Sequence, residues 1–183
     1  HPRVRRQRQM CIRDRLYTEK LGKITAIGRG AKKNKSKLFA ITLPLCYGDY
    51  MVFKGKNLFN LQEGKIINSF QGLMGNLDKL TYSSYLCELI DIALMDGESN
   101  RSLYRDFITT LYLLDTDAID YELLIRAFEL RLLRATGYGL ILDKCVVCKK
   151  KLKVSNYISL SNFGGVCDEC PKTHGLHLSL IHI

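Results

Sequence analysis

LGKITAIGRGAKKNKSKLFAITL, residues 21–43, reads as two strands around a cationic loop. Ile24 and Ala26 alternate with polar neighbours before the loop, and Phe39, Ile41 and Leu43 alternate after it. The same period of two continues through Met51 and Phe53, Leu58, and Ile66, Asn68 and Phe70. Between these runs stand the turn-forming groups Tyr47-Gly48-Asp49, Lys54-Gly55-Lys56-Asn57 and Glu63-Gly64, so residues 21–71 predict a meander of about five strands. A small barrel or rolled sheet closes such a meander.

Past Gly75 the period becomes helical. Tyr82, Tyr85, Leu86, Leu89, Ile90 and Ala93 share one stripe, and Leu103, Phe107, Leu111 and Leu114 mark a second helix with Ser99 or Asn100 as its cap. A third helix runs from Asp117, the cap candidate, through Leu124, Phe128 and Leu132 to a stop at Gly137. These stripes read as core, because ordinary helix packing already requires them.

Of the 7 Cys, four form two C-x-x-C pairs, Cys145/Cys148 and Cys167/Cys170, with eighteen residues between the pairs. That spacing suits a single structural zinc ion held by four thiolates on two tight turns, with no position left open for water. Residues 154–165 supply a strand and hairpin to bring the second turn back to the first. A redox C-x-x-C is the competing reading, but it explains neither the second pair nor the separation. Cys46 and Cys87 read as small buried hydrophobes.

The four His all lie at the ends of the chain, so residues 2–173 contain no imidazole for a general base or a Ser-His-Asp triad. Glu88 and Asp91 lie close in sequence without a pattern that indicates acid-base pairing. The expectation is a protein that is not an enzyme; a thiol oxidoreductase or zinc hydrolase is the contrary reading. No stretch is long and apolar enough to span a membrane, and no secretory signal is readable, which makes the cytoplasm the expected location.

The 28 Lys+Arg against 18 Asp+Glu give +10, and residues 1–15, with six Arg against Asp14, carry half of it. MCIRDR at 10–15 and LSLIHI at 178–183 resemble translated adapter sequence, and both ends are set apart; a natural basic arm is the other reading. Within the body, Arg29, Lys32, Lys33, Lys35 and Lys37 put five cations in nine positions. The Gly28 and Gly30 pair lacks the spacing of a phosphate-binding loop, and a strand rather than a helix is expected after it. Such a loop can lie along a phosphate backbone with Tyr50, Phe53 or Phe59 as stacking faces, or serve as a solvated loop. Lys144, Lys149, Lys150, Lys151 and Lys153 form a second basic cluster around the first Cys pair.

In this order, TEKLGKITAIGRGAKKNKSKL (18–38), YGDYMVFKGKNLFNL (47–61), YELLIRAFELRLLRATGY (121–138) and the CVVC and CDEC pairs resemble the RecO family of bacterial DNA repair proteins, in a clostridium-like version. The resemblance implies an α+β chain: an incomplete N-terminal OB-fold barrel over 16–75, a helical domain over 76–143, an inserted four-Cys zinc knuckle over 144–173 and a tail over 174–183. It implies Cys145, Cys148, Cys167 and Cys170 as zinc ligands, and Arg29, Lys32, Lys33, Lys35 and Lys37 as DNA contacts. It further implies binding of single- and double-stranded DNA, annealing of complementary strands, and loading of RecA with RecR onto DNA coated by single-strand-binding protein. The chain departs from the family before Leu16, where a strand is expected, and after the knuckle, where further helices are. A protein-binding adaptor built on the knuckle is the remaining alternative.

Overall fold

The computed structural model describes residues 11–29, 31, 37–56, 58–171 and 179–180. They fall into two compact units, 1–128 and 129–183.

In the first unit, β1 (Cys11–Thr18), β2 (Gly22–Arg29), β3 (Tyr47–Lys54) and β4 (Phe59–Asn68) form one sheet in the order β1-β2-β4-β3. β1 pairs antiparallel with β2 from Cys11↔Arg29 to Thr18↔Gly22. β2 runs parallel to β4 from Ala26↔Phe59 to Gly28↔Leu61, and β4 is antiparallel to β3. β1 and β3 are edges, so this OB-like sheet does not close into a barrel among the described residues. β1 begins inside the segment that sequence set apart. Its ladder is made of backbone groups, and the open side of β2 bonds an extended chain whatever its side chains.

The meander has four strands here rather than five. Residues 39–43, expected as a strand, belong instead to the short helix α1 (Lys37–Ile41) and the turn after it. Phe39 and Leu43 are exposed and only Ile41 is buried, so the apparent alternation never met a second face. Two expected turns also lie within strands. Tyr47-Gly48-Asp49 opens β3 opposite Glu63-Gly64 and its neighbours in β4, with Asp49↔Lys65 and Tyr50↔Gly64 in register. Their glycines admit close approach: a Cβ on Gly48 would sit 2.3 Å from the Lys65 carbonyl, and one on Gly64 would sit 3.0 Å from Ile41 Cδ1. Irregular register at Tyr47/Gly48 and Met51/Val52 bends the pair. Between β3 and β4, where Lys54-Gly55-Lys56-Asn57 is expected to turn, Gly55 N–H donates to the Leu58 carbonyl at 2.9 Å; Asn57 lies outside the described residues.

After the short helix α2 (Gln71–Met74) come α3 (Leu77–Ala93), α4 (Arg101–Asp115) and α5 (Tyr121–Ala135). Asn76 accepts from Lys79 N–H at 3.1 Å and Asn100 from Leu103 N–H at 3.0 Å, capping α3 and α4. Asp120, not Asp117, caps α5, accepting from Leu123 N–H at 3.0 Å. Asp117 is held elsewhere: its φ is 54° and its carboxylate binds Lys79 and Tyr121. At the far end, Gly137 takes φ 88°, with Tyr138 N–H on the Leu133 carbonyl at 2.8 Å, the left-handed stop that the sequence predicts.

Ile24, Ala26, Leu61, Phe70, Leu86, Ile90, Phe107, Leu111 and Leu114 build the core of this unit. Tyr17 of β1 lies 5.4 Å from Tyr104 and 5.8 Å from Phe107, locking sheet to helix. Asp91 of α3 adds a charged tie, binding Arg15 at the surface and the buried ammonium of Lys23 at 3.4 Å.

The second unit carries the cysteines. β5 (Tyr157–Ser159) pairs antiparallel with β6 (Gly164–Val166) and with β7 (Ser179–Leu180), the last again within a segment set apart by sequence. Gly164 and Gly165 are needed at the approach of this hairpin to the first Cys turn. A Cβ on Gly164 would meet the Ile141 carbonyl at 2.4 Å and Val146 at 2.5 Å.

Candidate metal centre and nucleic-acid interface

Two tight turns aim four thiols at one point. In the first, Cys145 N–H donates to the Lys150 carbonyl at 2.8 Å and Lys149 N–H returns to the Cys145 carbonyl at 2.9 Å, with Lys149 at φ 64°. The β5–β6 hairpin then delivers Cys167 and Cys170. Ser155, which sequence reading passed over, clips that hairpin: its Oγ accepts from Val166 N–H at 3.1 Å and lies 2.6 Å from the Tyr157 carbonyl. Ser in a loop carries no distinguishing signal, so only the fold reveals it.

The sulfur atoms of Cys145, Cys148, Cys167 and Cys170 all lie within 4.8 Å of one another, the one such cluster with metal-ligand potential among the described residues. Cys145 and Cys170 are 3.8 Å apart, and Cys148 and Cys167 3.7 Å. Zinc-sulfur bonds of about 2.3 Å give a tetrahedron with edges of about 3.8 Å, whereas a disulfide needs about 2.0 Å. The electrostatics agree. Burial pushes the Cys145 thiol up, but the backbone N–H groups of Cys167, Cys148 and Val147 outweigh it and bring it down to about 6. Cys167 is lowered, chiefly by the backbone N–H of Cys170. Cys170 is pushed up to about 12 by burial and then by the neighbouring thiols. Four thiolates in one place thus require a cation, and a dication bound among them removes the repulsion. The residues fit a metal ion well. Among the described residues the buried apolar cluster here is Cys145, Val166 and Cys170, with Val146, Val147, Leu152 and Tyr157 packed around them, too small a core to hold the turns alone.

Of the predicted DNA contacts, Arg29 is exposed at the end of β2, and Lys37 opens α1. Lys32, Lys33 and Lys35 lie outside the described residues. Phe53 on β3 is 54% exposed; Tyr50 and Phe59 are half-buried, and Tyr50 donates to the Cys46 carbonyl at 2.8 Å. Around the metal centre Lys144, Lys149, Lys150, Lys151 and Lys153 are all exposed. Lys150 lies 3.5 Å from Glu169, and Lys149 donates to the Val146 carbonyl at 2.9 Å.

Asp91, to which the sequence assigns no chemistry, is an ion-pair hub for Arg15 and Lys23, with its pKa lowered first by the Arg15 bond. Cys87 is exposed rather than buried, while Cys46 is half-buried. Cys87 borders a cleft of about 1010 Å³ between β1, β3, α3 and α4, where lost hydration raises its thiol to about 11. Tyr17 and Tyr104 in the same cleft are each raised to about 12 by burial. No helix among the described residues is long and apolar enough to cross a membrane.

The family model for the N-terminal part of recombination protein O matches residues 15–70, and the one for its C-terminal part matches 74–183. Over 164 residues the chain is 68% identical to the DNA repair protein RecO of Clostridium perfringens (strain SM101 / Type A), an alignment covering 90% of this chain and 73% of that protein. It is 52% identical to the protein of the same name from Clostridium acetobutylicum, covering 90% and 66%, and 34% identical to that of Alkaliphilus metalliredigens, covering 88% and 64%.

Proposed function

The chain belongs to the RecO family of DNA repair proteins, and from that membership we propose that it is a non-enzymatic recombination mediator of the bacterial cytoplasm. It binds single- and double-stranded DNA through backbone phosphates, leaves the bases free to pair, and anneals complementary strands. With RecR it assists RecA onto DNA coated by single-strand-binding protein. The observation that carries the DNA reading is the position of Arg29. It stands exposed where β2 ends, and the sequence continues from it into Lys32, Lys33, Lys35 and Lys37. Cations on a small sheet release the counterions condensed on a polyphosphate, giving affinity without sequence preference. Phe53 offers a face on which an unpaired base can stack.

One zinc ion, held by Cys145, Cys148, Cys167 and Cys170, is structural in this reading. Four sulfur ligands complete its coordination, and a catalytic zinc needs a free position. Its role is to fold the two turns.

Charge reversal of Lys32, Lys33 and Lys35 to Glu tests the proposal. Strand annealing should be abolished while zinc content stays at one per chain; annealing at the unaltered rate would refute the role of this loop.

A further inference from the structure

The first Cys turn is the tip of a two-stranded ribbon, closed by Leu152 N–H on the Asp143 carbonyl at 2.9 Å and Cys145 N–H on the Lys150 carbonyl at 2.8 Å. In that ribbon Lys144 and Lys151 are a directly opposed antiparallel pair. Residues so placed have Cβ atoms about 4.5–5.5 Å apart on one face, where like charges repel. Both side chains are exposed, and among the described residues no carboxylate pairs with Lys144, Lys151 or Lys153. Among the described residues the acidic group that pairs within this cluster is Glu169, 3.5 Å from Lys150. The ribbon thus sets the Cβ atoms of two exposed lysines side by side, with no carboxylate of the described residues on either, and leaves their ammonium groups available to an external anion.

A second feature narrows the anion. Ile141, three residues before Lys144, donates its N–H to the Phe163 carbonyl at 2.9 Å and bridges Gly164, so the β5–β6 turn adjoins the strand that carries Lys144. Phe163 there is 56% exposed with φ 50°. A cation pair three residues along the strand from the contact with a solvent-facing ring matches the alternation of phosphate and base in an unpaired strand. The stacked bases of a double helix leave no face for the ring.

We propose that Lys144 and Lys151 form a phosphate clamp for single-stranded DNA, with Phe163 as its stacking face. This rests on the DNA-binding reading above and adds to it a second contact surface that exists only when the four thiols hold their metal. The ribbon presents the two lysines in register because Cys145 and Cys148 are anchored, so metal occupancy and clamp affinity rise and fall together.

The test is binding of oligothymidylate to the whole protein across a sodium chloride titration. Lys144→Gln with Lys151→Gln should retain one zinc per chain and reduce the slope of log K against log salt by about 1.4, since each single-strand phosphate contact contributes about 0.7. Phe163→Ala should weaken binding severalfold at an unchanged slope. An unaltered slope in the zinc-replete double variant overturns the clamp. Lysine acetylation of the unaltered protein gives a readout independent of variant folding: oligothymidylate should protect Lys144 and Lys151, and equal labelling with and without it also overturns the clamp. Failure of the unaltered protein to bind DNA refutes the parent reading. An unaltered slope in a double variant that still binds refutes only the clamp and leaves the parent reading standing.

Discussion

Lys79 is 6% exposed, and its ammonium divides between the Asp115 carbonyl at 2.8 Å and the Asp117 carboxylate at 2.6 Å. It thereby ties the start of α3 to the end of α4 and fixes the left-handed residue that turns the chain into α5. Asp117 has its pKa lowered first by the Lys79 bond and then by Tyr121. A lowered carboxylate stabilises the native state above its unfolded pKa near 3.8, and the benefit is lost as pH falls through the native value. Lys79→Met should therefore melt at a lower temperature than the unaltered chain at pH 7. That gap should narrow as acid protonates Asp117; a gap constant from pH 7 to pH 2 would show that the ion pair is not its source. This pairing explains why the α5 cap was not legible. Asp117 and Asp120 are equally good caps by residue type, and a lysine 38 positions away in sequence decides between them. At α4 the sequence narrows the cap to Ser99 or Asn100, and the structure uses Asn100.

At the scale of elements, helices were legible and strand boundaries were not. Helical stripes persist for four turns and survive a local ambiguity, as the buried Leu86 and Ile90 of α3 and Leu103, Phe107 and Leu111 of α4 show. An alternation of three residues such as Phe39, Ile41 and Leu43 fits one helical turn as well as a strand. Gly48 and Gly64 misled for another reason: glycine marks a turn and a close backbone approach with the same letter. Gly48→Ala discriminates between these uses. A Cβ 2.3 Å from a carbonyl oxygen of the paired strand forces β3 off β4, and the substitution should cost about 1–3 kcal/mol in urea unfolding. A neutral result would mean that β3 begins after this residue. The Cys spacing, by contrast, picked out all four members of the cluster that could hold a metal ion, because ligand chemistry constrains sequence more tightly than backbone pairing does.

For the molecule as a whole, the two units draw on different sources of stability. Residues 1–128 have a broad aliphatic and aromatic core; the thiol cluster has three buried residues. Chelation should therefore act selectively. Removing the metal should abolish hydrogen-exchange protection at Tyr157–Ser159 and Gly164–Val166 and leave the amides of Leu77–Ala93 and Arg101–Asp115 protected. Protection that persists in the hairpin after complete chelation would show that packing alone sustains it. The strand that starts at Cys11 was not legible in sequence, since its register owes nothing to an apolar pattern.

The four sulfurs also make the second unit its own dye. Cobalt seated in a tetrahedron of thiolates absorbs visible light, and it does so only while both turns converge on it. Warming a green cobalt-loaded sample and watching the colour fade follows the melting of this unit alone, with the larger one optically silent.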